Sequence, residues 1–137
     1  MYTFKVLLVD DYEPFRQVVR SVLEQRDDLQ VVGEASDGLD AVQKAKKLQP
    51  DLILLDIDLP KLNGIQATRR LRDLVPNVKI LFLSEESNSD VIQEGLRSGA
   101  LGFVRKLNTQ AELLAALGEV LKGKQFFSSG LDDDPWE

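Results

Sequence analysis

Apolar and polar positions along the chain fall into five repeats of one pattern, a short apolar run followed by a stripe with helical spacing. The runs Lys5–Val9, Gln30–Ala35, Leu52–Leu55, Val78–Leu83 and Gly102–Val104 read as strands, and Val6–Val9 and Leu52–Leu55, apolar throughout, as buried parallel ones. Between them, apolar residues recur at intervals of three and four. Phe15, Val18, Val19, Val22 and Leu23 form the first stripe, and Ala41, Val42, Ala45 and Leu48 the second. Ile65, Thr68, Leu71 and Leu74 follow, then a weaker set at Val91, Ile92 and Leu96, then Leu113, Leu114, Leu117, Val120 and Leu121. Punctuation agrees with these limits. Pro14 suits a first helical turn, Pro50 and Pro76 stop helices, and Asn63-Gly64 and Ser36-Asp37-Gly38 are loop or cap chemistry. Regular β-α alternation predicts an α/β fold, a parallel sheet with right-handed crossovers and helices on both faces.

Two of the runs end in acid. Val6-Leu7-Leu8-Val9 leads into Asp10-Asp11, and Leu52-Ile53-Leu54-Leu55 leads into Asp56. If those strands are neighbours, three carboxylates meet in one crevice at the C-terminal edge of the sheet, where open α/β folds place their ligands. Like charges that close raise one another's proton affinity, and a hard divalent cation with oxygen ligands is the usual remedy. Mg2+ suits so small a carboxylate set. The chain has no His and no Cys, which excludes the usual zinc sites, Ser-His-Asp triads and Cys-His pairs. No glycine-rich dinucleotide loop or Walker-type sequence is present either. The remaining nucleophile at a strand end is a carboxylate, and Asp is a known phosphoryl acceptor. Phosphoryl transfer also asks for a cationic side chain and a hydroxyl near the transferred group. Ser84 follows Leu81-Phe82-Leu83, and Lys106 follows shortly after Gly102-Phe103-Val104.

Composition narrows the partners. The 137 residues suit one domain, and a net charge of −6 argues against direct nucleic-acid contact. Lys44, Lys46 and Lys47 read as a solvated helix face. No apolar run approaches a membrane span and no signal peptide is visible, so a cytoplasmic protein without membrane contact is expected.

In order along the chain, Val9-Asp10-Asp11, Leu55-Asp56-Ile57-Asp58-Leu59-Pro60 with Asn63-Gly64, Leu83-Ser84, and Gly99-Ala100 through Gly102-Phe103 to Lys106 resemble the response-regulator receiver domain of two-component signalling. The likeness covers nearly the whole chain. It implies a flavodoxin-like (βα)5 fold, a doubly wound five-stranded sheet in the order 2-1-3-4-5, which sets strands one and three side by side. It implies Asp56 as phosphoacceptor, with Ser84 and Lys106 binding phosphoryl oxygens. Asp10, Asp11, Asp56 and the backbone carbonyl of Asp58 would hold Mg2+, and Phe103 would be the switch aromatic. The protein would not be an enzyme beyond catalysing its own phosphorylation and dephosphorylation. The donor would be a partner histidine kinase or phosphotransfer protein, since the chain lacks histidine. Homodimer formation on phosphorylation is a further expectation, through a changed surface on the fourth helix, fifth strand and fifth helix.

The chain departs from the family in three places. Leu107 stands where proline often follows the lysine, Phe103 lacks the hydroxyl of a tyrosine, and Glu85-Glu86 replace the usual small residue after Ser84. The stretch from Ala111-Glu112-Leu113-Leu114 to Gly123 and Phe126-Phe127-Ser128 resembles receivers of the NarL type, in which a helix-turn-helix effector follows. Residues 1–125 are accordingly read as receiver and 126–137 as a tail or the start of a linker, and the chain as stand-alone or cut from a transcription regulator. Two rival readings exist. Asp56-Ile57-Asp58 also looks like the D-x-D opening of haloacid-dehalogenase-type phosphatases, although Pro60 stands where that motif wants Thr or Val. A degenerate receiver serving only as an interaction module is the other, against which the intact Asp11, Asp56, Ser84 and Lys106 set argues.

Overall fold

A computed structural model describes residues 2–128. β1 (Phe4–Val9), β2 (Leu29–Ala35), β3 (Leu52–Leu55), β4 (Lys79–Ser84) and β5 (Gly102–Arg105) alternate with α1 (Glu13–Leu23), α2 (Gly38–Leu48), α3 (Gly64–Leu74), α4 (Ser89–Arg97) and α5 (Thr109–Val120). A single 3-10 turn, Lys106–Asn108, joins β5 to α5. All strand pairings are parallel, and the order is β2-β1-β3-β4-β5, with a short β6 (Phe126–Phe127) outside β5.

The sheet therefore has six strands, and the expectation of five is corrected. β6 (Phe126–Phe127) pairs with β5 inside the stretch read as tail. Two residues are too few to show a strand period, and what holds them is tertiary. Phe126 packs on one face of the sheet and Phe127 on the other. Ser128, read as the start of a frayed end, is buried, and its N–H donates to the Phe103 carbonyl at 2.8 Å. The rest of that end, 129–137, lies outside the described residues.

Strand residues alternate between two cores. Leu7, Val9, Ile53, Leu55, Ile80, Phe82 and Phe103 face α2, α3 and α4. Val6, Leu8, Leu52, Leu54, Leu81, Leu83 and Val104 face α1 and α5. With both faces covered, the buried runs of β1, β3 and β4 had to be apolar, whereas β2 at the sheet edge is mostly half-buried and carries Gln30 and Glu34. Local chemistry sets the helix starts that matter for the crevice. Asn63 caps α3 in a reciprocal box with Gln66, and the Asn88 side chain accepts from the N–H groups of Asp90 and Val91 to start α4. Gly64 is required where it stands, because a Cβ there would lie 2.2 Å from the Asp56 carbonyl oxygen. No helix among the described residues is long and apolar enough to cross a membrane.

Candidate functional site

β1 and β3 run side by side with Val9 opposite Leu55, so the next residues, Asp10 and Asp56, emerge together. The Asp56 N–H donates to the Val9 carbonyl at 3.1 Å, which extends the ladder to the phosphoacceptor candidate itself. Asp10 and Asp56 are each 4% exposed, and Asp11 is exposed. The carboxylate oxygens offered by Asp10, Asp11 and Asp56 lie within 4.8 Å of one another. α1 begins at Glu13 behind Tyr12, which makes no side-chain cap, so neither Asp10 nor Asp11 caps that helix. Asp10 instead accepts from the Tyr12 N–H through Oδ1 at 2.9 Å.

Lys106 enters from the end of β5. Its Nζ lies 2.7 Å from Asp10 Oδ2 and 2.9 Å from Asp56 Oδ2, bridging the two buried acids. The contact with Asp10 Oδ2 is an ion pair without hydrogen-bond alignment, which leaves that buried oxygen without a hydrogen-bond partner. The same ammonium sits 4.7 Å from the centre of the Phe15 ring, within cation–π range. Burial alone would lower the proton affinity of Lys106, but its close contacts with the Asp10 and Asp56 carboxylates more than reverse this and leave it raised. For Asp10 the balance goes the other way: burial outweighs Lys106 and the Tyr12 amide, and its pKa is raised. The crevice thus holds more negative charge than its one lysine neutralises. Oxygen-only donors and that surplus fit a hard divalent cation.

Asp58 lies apart from the carboxylate cluster, on the rim of an open cavity of about 810 Å3 lined also by Asp11, Tyr12, Asp56, Glu85 and Lys106. Its N–H donates to Asp56 Oδ1 at 3.2 Å. Burial raises its pKa first, and the charges of Asp56 and Glu86 add to the shift. Ser84 is fully buried, and its Oγ accepts from the Glu86 N–H at 3.1 Å, turned back on its own loop. Phe103 is also fully buried, with its ring 6.0 Å from that of Phe127. Asp10, Asp11, Asp56 and Lys106 are thus drawn together, Asp58 lines the same cavity as Asp11, Asp56 and Lys106, and Ser84 and Phe103 lie buried on the adjacent strands β4 and β5.

Sequence reading missed two residues here. Phe15 belongs by spacing to the core stripe of the first helix, yet its ring lies under the Lys106 ammonium. Arg16 stands in no motif of the sequence pattern, yet its Nη1 donates to the Asp10 carbonyl at 2.5 Å. The available signal was position: both lie in the first turn and a half after the acidic pair, where a helix returns toward the loop that precedes it.

Residues 6–118 match the sequence model of the response regulator receiver domain. A Pseudomonas aeruginosa protein with the provisional name of transcriptional regulator is 41% identical over 126 residues, covering 92% of this chain and 60% of that one. The transcriptional regulatory protein DegU of Brevibacillus brevis is 35% identical over 119 residues, covering 87% of this chain and 50% of its own. The chain thus spans roughly half to three-fifths of the length of these relatives. Among solved structures, a LuxR-family two-component response regulator from Aurantimonas sp. SI85-9A1 superposes with a TM-score of 0.88 at 32% identity, covering 94% of this chain and 92% of that one. The isolated receiver of RcsB from Salmonella enterica serovar Typhimurium, solved with the phosphomimetic BeF3−, gives a TM-score of 0.87 at 26% identity, covering 94% of this chain and 96% of that one. A receiver-domain match over residues 6–118, with relatives above 30% identity across most of this chain and folds that superpose on it, shows that the chain belongs to the response regulator receiver domains.

Proposed function

We propose that Asp56 is the sole phosphoacceptor of this receiver and takes its phosphoryl group from the histidine of a partner kinase or phosphotransfer protein. The observation that carries the reading is the bridge of Lys106 to Asp10 and Asp56 at the floor of an open cavity. A cation so placed can follow charge from carboxylate to phosphoryl oxygen over a short distance. In the transfer, an Asp56 carboxylate oxygen forms the new bond to phosphorus while the phosphorus–nitrogen bond to the donor imidazole breaks. Lys106 turns from the carboxylates to an equatorial oxygen. The Ser84 hydroxyl, now accepting from the Glu86 amide, swings to donate to another. Asp10, Asp11, Asp56 and the Asp58 carbonyl would hold Mg2+, which when bound neutralises charge shared by the carboxylates and the phosphoryl group. Ser84 and Phe103 lie on adjacent strands, so movement of one alters the packing of the other and of the α4-β5-α5 surface.

The regulators that match are longer than this chain, so control of transcription would reside in a segment beyond the receiver. Homodimerisation through the altered surface, without nucleic-acid contact by these residues, and a cytoplasmic setting complete the proposal. The test is intact mass after incubation with Mg2+ and acetyl phosphate. One phosphoryl mass is expected, absent in Asp56→Asn. Single labelling of that variant at the wild-type rate overturns the assignment.

A further inference from the structure

One cation is tied to the acidic loop without touching its carboxylates. Arg16 donates from Nη1 to the Asp10 carbonyl at 2.5 Å and from Nε to Glu34 Oε1 at 2.8 Å. Its side chain is only 15% exposed. That carbonyl belongs to the peptide joining Asp10 to Asp11, whose carboxylates both belong to the cluster. Because a peptide is planar, fixing its oxygen fixes the plane from which both side chains depart. A charged donor makes the contact about twice as strong as a neutral one.

Glu34 is itself anchored. Both its oxygens accept from Arg20 Nη1 at 2.6 Å, and Arg20 also reaches Glu13 at 3.1 Å. The Glu34 carbonyl accepts from Lys44 Nζ at 2.5 Å. A chain of contacts therefore runs from α2 and β2, through Glu34 and Arg16, to the peptide between the two acids. That peptide has work to do, because the carboxylates it carries and that of Asp56 offer oxygens within 4.8 Å of one another and repel.

We propose that Arg16, held by Glu34, is a positioning residue for divalent-cation binding. It keeps the Asp10–Asp11 peptide in the orientation that presents both carboxylates to the ion. The inference rests on the Mg2+-dependent phosphoacceptor reading above. Groups one step removed from a metal's ligands typically change affinity by about 10- to 100-fold when lost. A residue that merely staples α1 to the sheet would change stability and leave affinity alone.

The experiment uses the whole chain, stripped of metal, in wild-type, Arg16→Met, Arg16→Lys and Glu34→Gln forms. Mg2+ affinity is measured by calorimetric titration, stability by thermal melting in chelator, and loop order by amide exchange at Asp11 and Tyr12. Arg16→Met should weaken Mg2+ binding about tenfold and speed exchange at both amides. Saturating Mg2+ should then restore its labelling rate at Asp56. Arg16→Lys, with one compact donor group for two acceptors, should recover only part of the affinity. Arg16→Met affinity within about twofold of wild type, whatever its melting temperature, overturns the proposal. If that variant does not fold, Glu34→Gln decides: a rise of about threefold or more in the Mg2+ dissociation constant supports it, and an unchanged value overturns it. A wild type that shows no Mg2+-dependent labelling sinks the functional reading instead, independently of Arg16.

Discussion

Lys106→Met removes the one ammonium lodged between two buried acids. Its contacts with Asp10 and Asp56 are 2.7 and 2.9 Å, with 14% of the lysine side chain and 5% and 6% of its partners' side chains exposed. At an effective dielectric of about 20, each contact is worth roughly 6 kcal/mol of Coulomb attraction. Most of that offsets the desolvation of three charges, so the net contribution is far smaller. Protonation sets a ceiling on the loss. A carboxylate with an ordinary value of 3.8 can be neutralised at pH 7 for about 4 kcal/mol, and one proton suffices to end the repulsion between Asp10 and Asp56. The expected loss in metal-free protein at pH 7 is therefore about 3 to 4 kcal/mol, or on the order of 10 °C in melting temperature. The pH dependence follows from burial, which already raises the proton affinity of Asp10 in the wild type. Acids raised in the folded state favour folding when protonated, so the deficit should shrink as pH falls from 7 toward about 4. Lys106 is shifted upward from 10.5, so its own contribution is complete below that value and is lost only as pH climbs past its folded pKa. The wild type therefore keeps it throughout the assay. Urea unfolding in chelator at pH 7 and about pH 4.5 measures the deficit, and millimolar Mg2+ at pH 7 should restore much of it by supplying a replacement cation. A variant as stable as wild type at pH 7, or equally weakened at both pH values, refutes the counter-ion argument.

Three further outcomes are expected. Gly64→Ala places a Cβ 2.2 Å from the Asp56 carbonyl oxygen and 2.8 Å from the Ile57 Cα; backbone cannot yield cheaply, so a loss of about 2 kcal/mol and slower labelling of Asp56 should appear in thermal melts and intact mass. Phe127→Ala strips a half-buried ring from beside Phe103 and should cost about 2 kcal/mol in urea unfolding, whereas an unchanged midpoint would mean that β6 contributes nothing to the sheet. Asp58→Met combined with Glu86→Leu removes the Asp58 carboxylate, which feels the charges of both Asp56 and Glu86, and the Glu86 carboxylate, the pair proposed to orient a hydrolytic water. Dephosphorylation after donor removal should slow, and an unchanged or faster decay with the metal still bound contradicts that role.

Strands were legible wherever burial on both faces made a run apolar for four residues or more, as at Leu52–Leu55. The same property hid their facing, because Val6 and Leu7 look alike in sequence yet serve opposite cores. β6 lay below the length at which any period can be seen. The acids were legible because they interrupt apolar runs, but what neutralises them was not. The resemblance assigns Lys106 to a phosphoryl oxygen, while nothing in sequence says that its ammonium lies between Asp10 and Asp56. Ser84 was placed at its strand end, while nothing in sequence said that its hydroxyl turns toward the Glu86 amide. Helical spacing relates a residue to neighbours three or four positions away and to no others. Glu34 stands 18 positions from Arg16 and reaches it only because β2 pairs with β1 and α1 packs beside them. Sequence can therefore name the groups that do the chemistry, whereas the groups that aim them become visible only when the sheet has closed.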